Sequence, residues 1–152
     1  LSDYRSFVIH IPTVVLNSPP VIKQAYLRAF YDDEGCVALR VFRKTNEWKR
    51  NITLTTNSFR ILTEVQSMLL IDFGVCSNKI IKNKRDDNAY VLSISGRKNI
   101  IRFCDSVGFN HPRKRCLLDL MKRTYGHGSR RSPIIFLQLY NELDKIKSRP
   151  LK

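Results

Sequence analysis

The chain has 152 residues, room for one domain with a real hydrophobic core and too few for two of ordinary size. Its 27 Lys+Arg against 13 Asp+Glu give a formal net charge of +14, an excess that points to a polyanionic partner, nucleic acid before a membrane surface. No apolar run reaches the ~20 residues of a membrane span, no signal-peptide pattern opens the chain, and a hydrophobic content of 43% excludes a disordered polymer.

Residues 1–18 carry an apolar, β-branched stretch from Phe7 to Val15, which reads as an arm or short strand leading into a turn at Asn17 and Ser18. Ser18 can cap a helix with Pro19 at its first position; the pattern is helical from Val21 to Asp33, and Gly35 is the expected left-handed stop. Two alternating runs follow, Cys36 to Arg43 and Asn51 to Thr56, joined by a basic hairpin connection from Lys44 to Arg50. Asn57 or Ser58 opens a second helix with Phe59, Leu62, Val65 and Leu69 at helical spacing, and Gly74 ends it.

A second strand pair is predicted over Asn78–Asn83 and Ala89–Ser95, with a charged turn from Lys84 to Asn88. Three helices close the chain: Arg97–Val107, Arg113–Arg123 and Pro133–Ile146. Hairpin-length connections favour antiparallel pairing, so the fold class is α+β, with helices on one sheet face and a polar, basic free face suited to DNA. The division expected is a single domain over 1–152: an N-terminal arm (1–18), a core (19–124), and a C-terminal helix and tail (125–152). The four cysteines, Cys36, Cys76, Cys104 and Cys116, form no C-x-x-C pair and read as small core residues in a reducing compartment. The setting expected is intracellular, cytoplasmic in a prokaryote or organellar in a eukaryote.

The most informative local feature is Asp32-Asp33-Glu34-Gly35 at a helix end. The carboxyl end of a helix carries partial negative charge, so each exposed acid there costs about 0.3–1 kcal/mol. A bound divalent cation would offset that, because hard cations prefer carboxylate oxygens. Ala25 and Ala29, one turn apart on the same helix, form a narrow ridge on which another helix could approach closely. Taken singly, these features also fit a solvated helix end and ordinary core packing.

The wider sequence decides between the readings. Leu27-Arg28-Ala29-Phe30-Tyr31-Asp32-Asp33-Glu34-Gly35 resembles the LAGLIDADG motif of homing endonucleases, in the variant ending in an acid and a glycine. The resemblance continues through Ile52–Asn57, Tyr90–Arg97, and Val107-Gly108-Phe109 with Pro112 and Lys114, covering roughly residues 20–120. It implies an α-β-β-α-β-β-α domain with a curved antiparallel DNA-binding sheet. It further implies Glu34 as catalytic metal ligand, Asp33 beside it as a second metal-binding acid, Asp32 at the contact between motif helices together with Ala25 and Ala29, and Lys114 as the basic active-site residue, with Lys98 a substitute. Arg28 departs from the small residue of the motif's name, although its side chain could point outward.

Only one motif is present. Leu70-Ile71-Asp72-Phe73-Gly74 lacks the acid-glycine ending and follows too closely to be a second copy. The resemblance therefore implies a homodimer acting on double-stranded DNA with a near-palindromic site, cutting by hydrolysis with Mg²⁺ or another divalent cation such as Mn²⁺. Base reading would fall to the free sheet face, with candidates Arg40, Phe42, Lys44, Lys49, Asn51, Thr53, Lys79 and Lys82. The later basic residues Arg113, Arg115, Lys122, Arg123, Arg130 and Arg131 would meet phosphates or solvent, and His10, His111 and His127 are structural or surface residues. The alternatives are a maturase that binds intron RNA without cutting DNA, a transcription factor on a decayed nuclease fold, and the endonuclease portion of an intein. With Leu1 and Lys152 at the ends in place of splicing residues, an intron-encoded enzyme is the simpler expectation.

Overall fold

The computed structural model describes residues 10–42, 44–84, 86 and 88–148. Expectations for Phe7–Ile9, Arg43, Arg85, Asp87 and 149–152 lie outside these residues.

The short apolar segment after Ile11 is helical rather than extended. Helix α1 (Thr13–Leu16) turns once, and the Ser18 hydroxyl donates to the Val14 carbonyl at 2.6 Å, so Ser18 closes this turn instead of capping the next helix. Ile11 is fully buried and its amide donates to Glu64 at 2.7 Å, so this stretch is packed onto the body of the protein. Helix α2 (Pro20–Glu34) begins behind Pro19, with proline in the first turn where amides have no intrahelical partner. Leu27 and Tyr31 point inward, and Lys23 donates to both carboxylate oxygens of Asp72 at 3.0 Å, tying α2 to helix α3 (Phe59–Phe73).

Gly35 departs from expectation. Its φ of −86° and ψ of 155° make it extended backbone, the first residue of strand β1 (Gly35–Phe42), not a left-handed stop. Glycine is required for another reason. A Cβ there would stand 2.4 Å from the Tyr31 carbonyl oxygen and 2.8 Å from the Tyr31 ring. At Gly74, by contrast, φ is +63°, and the amides of Gly74 and Val75 close α3 on the carbonyls of Leu70 and Leu69. The other end of α3 is capped by Ser58, whose hydroxyl accepts from the Ile61 amide at 3.3 Å.

Strand β2 (Glu47–Thr56) starts earlier than its composition suggests, so Trp48, Lys49 and Arg50 belong to the sheet and only Lys44–Asn46 make the turn among described residues. The second pair is unequal. Strand β4 (Tyr90–Ile94) is regular, but β3 shrinks to Ile81–Lys82, flanked by backbone bonds from Asn78 to Ser93 and from Asn83 to Ala89. The sheet order is β1-β2-β4-β3, antiparallel throughout.

Alternation sorts the strands. Val37, Leu39, Trp48, Ile52, Leu54, Leu92 and Ile94 face the helices and are buried with Leu62, Val65 and Leu69 of α3. Helix α4 (Arg97–Ser106) contributes Ile100 and Phe103, and α5 (Pro112–Arg123) contributes Leu118, Leu120 and Met121. The last helix, α6 (Pro133–Ser148), adds Leu139 and Leu143 to the same core. The Trp48 indole donates to the His127 carbonyl at 2.9 Å and its ring lies 5.2 Å from Phe136, fastening the loop before α6 to β2. Arg50 is enclosed on this side too, bonded to Thr124 at 2.7 Å with its guanidinium 4.4 Å from the Tyr125 ring centre.

The cysteines do not fill the core. Cys36, Cys76 and Cys116 are exposed and Cys104 is half-buried, all four as free thiols. A thiol is small enough for either environment, so composition could not place them.

Candidate functional site

Tyr31 fixes the carboxyl end of α2. Its ring is fully buried, packed edge-on against Phe103 at 4.8 Å and Phe109 at 6.1 Å between centroids, and burial pushes its hydroxyl pKa upward. The three acids that follow have different surroundings. Asp32 is half-buried and its carboxylate accepts from the amides of Asn110 and His111 at 3.0 Å, just ahead of α5. Asp33 and Glu34 are exposed and engage no other described residue.

Lys114, in the first turn of α5, reaches back to the carbonyl oxygens of Tyr31 and Asp32. The two helices therefore cap each other: a carboxylate of α2 sits at the positive end of α5, and an ammonium of α5 sits at the negative end of α2. This arrangement changes the electrostatic account. Lys114 offsets much of the dipole cost expected for acids at that helix end, so the cost alone does not call for a cation. An ammonium has three donors, and two are spent on these carbonyls. Lys98 lies elsewhere, exposed in the first turn of α4.

Two more side chains of α2 dock on the end of α4. Gln24 donates to the Ser106 carbonyl, and Arg28 to that of Val107 at 2.6 Å. Arg28 thus does not point outward; it caps α4, which explains why a large residue is accommodated in the motif. Opposite Leu27 and Tyr31, α2 is bare. Ile22, Ala25, Ala29 and Asp33, spaced three or four apart, share one exposed face, a ridge of small side chains leading to the acids.

Register settles the free face of the sheet. Cys36, Ala38, Arg40 and Phe42 of β1 lie across from Thr53, Asn51, Lys49 and Glu47 of β2, and Thr53 lies across from Ser93 of β4. Arg40, Phe42, Lys49, Asn51 and Thr53 therefore share this face. Lys44 is exposed in the hairpin turn. Lys82 does not belong to the free face where the sequence suggested it: it pairs with Tyr90, which packs on Phe59 of α3, so its position belongs to the helix side. Lys79 is exposed in the extended segment before β3. Sequence reasoning missed Asn78, Cys36, Ala38 and Ser93. The side-chain amide of Asn78 bonds the hydroxyls of Ser93 at 2.9 Å and Ser95 at 3.1 Å. The period-two rule would have found Cys36 and Ala38, but small neutral side chains draw no attention in a search for base-reading groups.

Several later basic residues serve the fold. Arg123 forms two bonds to Glu142, at 2.7 and 2.9 Å; Arg113 donates to the Lys147 carbonyl at 3.1 Å; Lys122 stands 3.7 Å from Asp105. Arg115, Arg130 and Arg131 are exposed. His10 and His111 are exposed, while His127 is half-buried with no partner for its Nδ1 among described residues. None of the histidines approaches the acidic pair closely enough to form a metal cluster, and among described residues no three His, Cys, Asp or Glu side chains do so.

Helices on one face of a four-stranded antiparallel sheet, with an acidic helix end at one margin of the free face, define an α+β protein of the homing endonuclease fold. The chain belongs to the LAGLIDADG family: the LAGLIDADG-like domain matches residues 22–108. Among curated proteins it is similar to the A-type chain of DNA gyrase from Mycobacterium leprae (strain TN), 32% identical over 109 residues, which is 72% of this chain and 8% of that protein. It is also similar to the replicative DNA helicase DnaB of Rhodothermus marinus, 23% identical over 115 residues, 75% of this chain and 12% of that one. The chain thus spans about a tenth of the length of these curated relatives. Two solved structures share its fold. The homing endonuclease I-CvuI, in complex with a DNA target, has a TM-score of 0.63 at 17% identity, covering 87% of this chain and 88% of that one. The archaeal intron-encoded homing endonuclease I-Vdi141I, complexed with DNA, has a TM-score of 0.58 at 14% identity, covering 88% and 89%. Among described residues no helix is long and apolar enough to cross a membrane.

Proposed function

We propose that this chain is a single-motif LAGLIDADG protein that pairs with a second copy along α2 and cleaves double-stranded DNA at a near-palindromic site. The observation that carries this reading is the exposed acidic pair Asp33 and Glu34 at the end of a bare ridge of Ile22, Ala25 and Ala29. A ridge of small residues lets two helices approach closely, and two-fold pairing there brings both acidic ends together. One chain offers two hard oxygen donors, which suits Mg²⁺ or Mn²⁺ and makes half of a site that two chains would complete.

When bound, such a cation would activate water and neutralise charge at the scissile phosphate. Glu34 would hold it, with Asp33 beside it, and Asp32 would keep its structural place under α5. Lys114 retains one free donor with which to stabilise negative charge on the phosphate, and its bonds to Tyr31 and Asp32 fix it beside the acids. Arg40, Lys49, Asn51 and Thr53 present donors and acceptors to base edges, and the +14 charge supplies the attraction to the backbone.

The chain is similar to only about a tenth of a gyrase and of two helicases, proteins that differ in kind, which fits a separable unit such as a mobile endonuclease module. That supports a gene that travels between hosts, in an intron or within another coding sequence. Selection from parallel randomised libraries of double-stranded DNA and of RNA in Mg²⁺ tests the reading, with an Ala29→Phe variant alongside. Enrichment of one near-palindromic site, with dimer formation lost in the variant while its folding survives, is expected. Enrichment of structured RNA and no DNA would overturn it in favour of a maturase.

A further inference from the structure

We propose that the contact between two copies extends beyond α2 onto an apolar cleft at its amino end, so that the pair forms before any DNA is bound. This rests on the two-copy reading above. At a rise of 1.5 Å per residue, the bare ridge from Ile22 to Asp33 is about 17 Å long, and it is no wider than a helix, ~10 Å. That strip is roughly 170 Å², whereas a stable pair of proteins buries about 800 Å² on each partner. Small side chains let two helices approach closely but remove little apolar surface from water. A pair that persists without DNA therefore needs surface outside α2.

A two-fold axis that brings the acidic ends of α2 together also brings their amino ends together, each facing its own copy. The surface there is apolar. Val14 in α1 and Ile71 in α3 are 74% and 79% exposed, and α2 opens with the exposed side chains of Val21 and Ile22. Leu16, Met68 and Ile71 line a cleft of about 300 Å³ that Lys23 and Asp72 border. Single exposed apolar side chains are ordinary, but these lie together and continue the α2 ridge.

The polar groups of the cleft are already matched. Lys23 donates to both oxygens of Asp72 at 3.0 Å, and Glu64 accepts from the Ile11 amide at 2.7 Å and from Arg60 at 3.1 Å. Matched charges give a phosphate no purchase, and Ile22 stands about 18 Å along α2 from Glu34, so DNA held at the acids does not reach the cleft. What remains is apolar surface, and the two-fold axis sets the same surface of the second copy against it. Helix α6 also exposes Ile134, Leu137 and Tyr140. Leu137 and Tyr140, however, share their cleft with Arg40 and Val41 of β1, away from the α2 ridge.

The test is sedimentation equilibrium of the DNA-free chain as wild type, Ile71→Glu, Ala29→Phe and Ile134→Glu, with circular dichroism and thermal unfolding of each. Ile71 and Ile134 are both exposed in the single chain, so a glutamate at either leaves the fold intact. Burying one large aliphatic side chain is worth about a factor of ten in affinity, and the substitution acts once in each copy. The wild type is expected to be a dimer, Ile71→Glu to raise its Kd by about a hundredfold, Ala29→Phe to dissociate it, and Ile134→Glu to leave it unchanged. A wild-type Kd for Ile71→Glu while Ala29→Phe dissociates overturns the inference and leaves the two-copy reading; a lower Tm at that unchanged Kd shows the cleft filled from within the chain. Equal weakening by Ile134→Glu overturns it in favour of unselective apolar association. A wild type that pairs only when DNA is added also overturns the inference while the reading stands, and one that stays monomeric with and without DNA removes both.

Discussion

Gly35→Ala isolates the steric demand at the junction between the motif helix and the first strand. The added methyl would meet the Tyr31 carbonyl oxygen at 2.4 Å, the Tyr31 ring at 2.8 Å and the Tyr31 Cα at 3.0 Å. Two of these atoms are backbone, and the ring is held between Phe103 and Phe109, so no flexible side-chain end can move aside. Overpacking of this kind costs about 1–3 kcal/mol. At about 2–4 °C per kcal/mol for a domain of this size, Tm should fall by about 2–12 °C. The cause can be separated from a left-handed requirement by using asparagine, which tolerates positive φ better than alanine. At Gly74, with φ of +63° and nothing nearer than 3.5 Å, Asn should be milder than Ala. At Gly35, Asn should be at least as damaging as Ala. Thermal unfolding of the four variants checks this, and an unchanged Tm for Gly35→Ala would refute the reasoning.

Asp32→Ala removes the acceptor of the Asn110 and His111 amides and should cost about 0.5–2 kcal/mol, read as a lower urea midpoint at unchanged slope; an unmoved midpoint would count against mutual capping. Burial pushes the Cys104 thiol up to about 12, so a thiol reagent at pH 8 should modify Cys36, Cys76 and Cys116 quickly and Cys104 only on unfolding. The same shift has a definite sign for stability. The Cys104 contribution is intact below the ordinary thiol value of 9.0 and declines as pH rises from there toward about 12, because only the unfolded chain ionises freely in that window. Comparing urea midpoints of wild type and Cys104→Ala from pH 8 to 11 reads it, and parallel declines would contradict it.

The parts of the fold that local chemistry dictates were legible in the sequence. Ser58 and Gly74 delimit α3 through capping, which needs only neighbouring residues. The alternation in β1 correctly assigned Arg40 and Phe42 to one face. What the sequence hid depends on distant partners. Gly35 looked like a left-handed stop because its actual constraint is contact with Tyr31. Arg28 looked outward-facing because its acceptor is the Val107 carbonyl, 79 residues away. The acids at the end of α2 looked uncompensated because Lys114 comes from α5. Lys82 looked like a residue of the free face because nothing local reveals that it pairs with Tyr90.

The most direct measurement is cleavage of the selected DNA site in Mg²⁺ by the wild type and by Glu34→Gln at equal concentration, with binding to the same site followed in parallel. Glu34 is exposed and bonds to no other described residue, so the substitution leaves the fold alone. Loss of double-strand cleavage with binding retained is the expected result. Cleavage by the variant at the wild-type rate would contradict the assignment of the metal-bearing carboxylate to the end of α2.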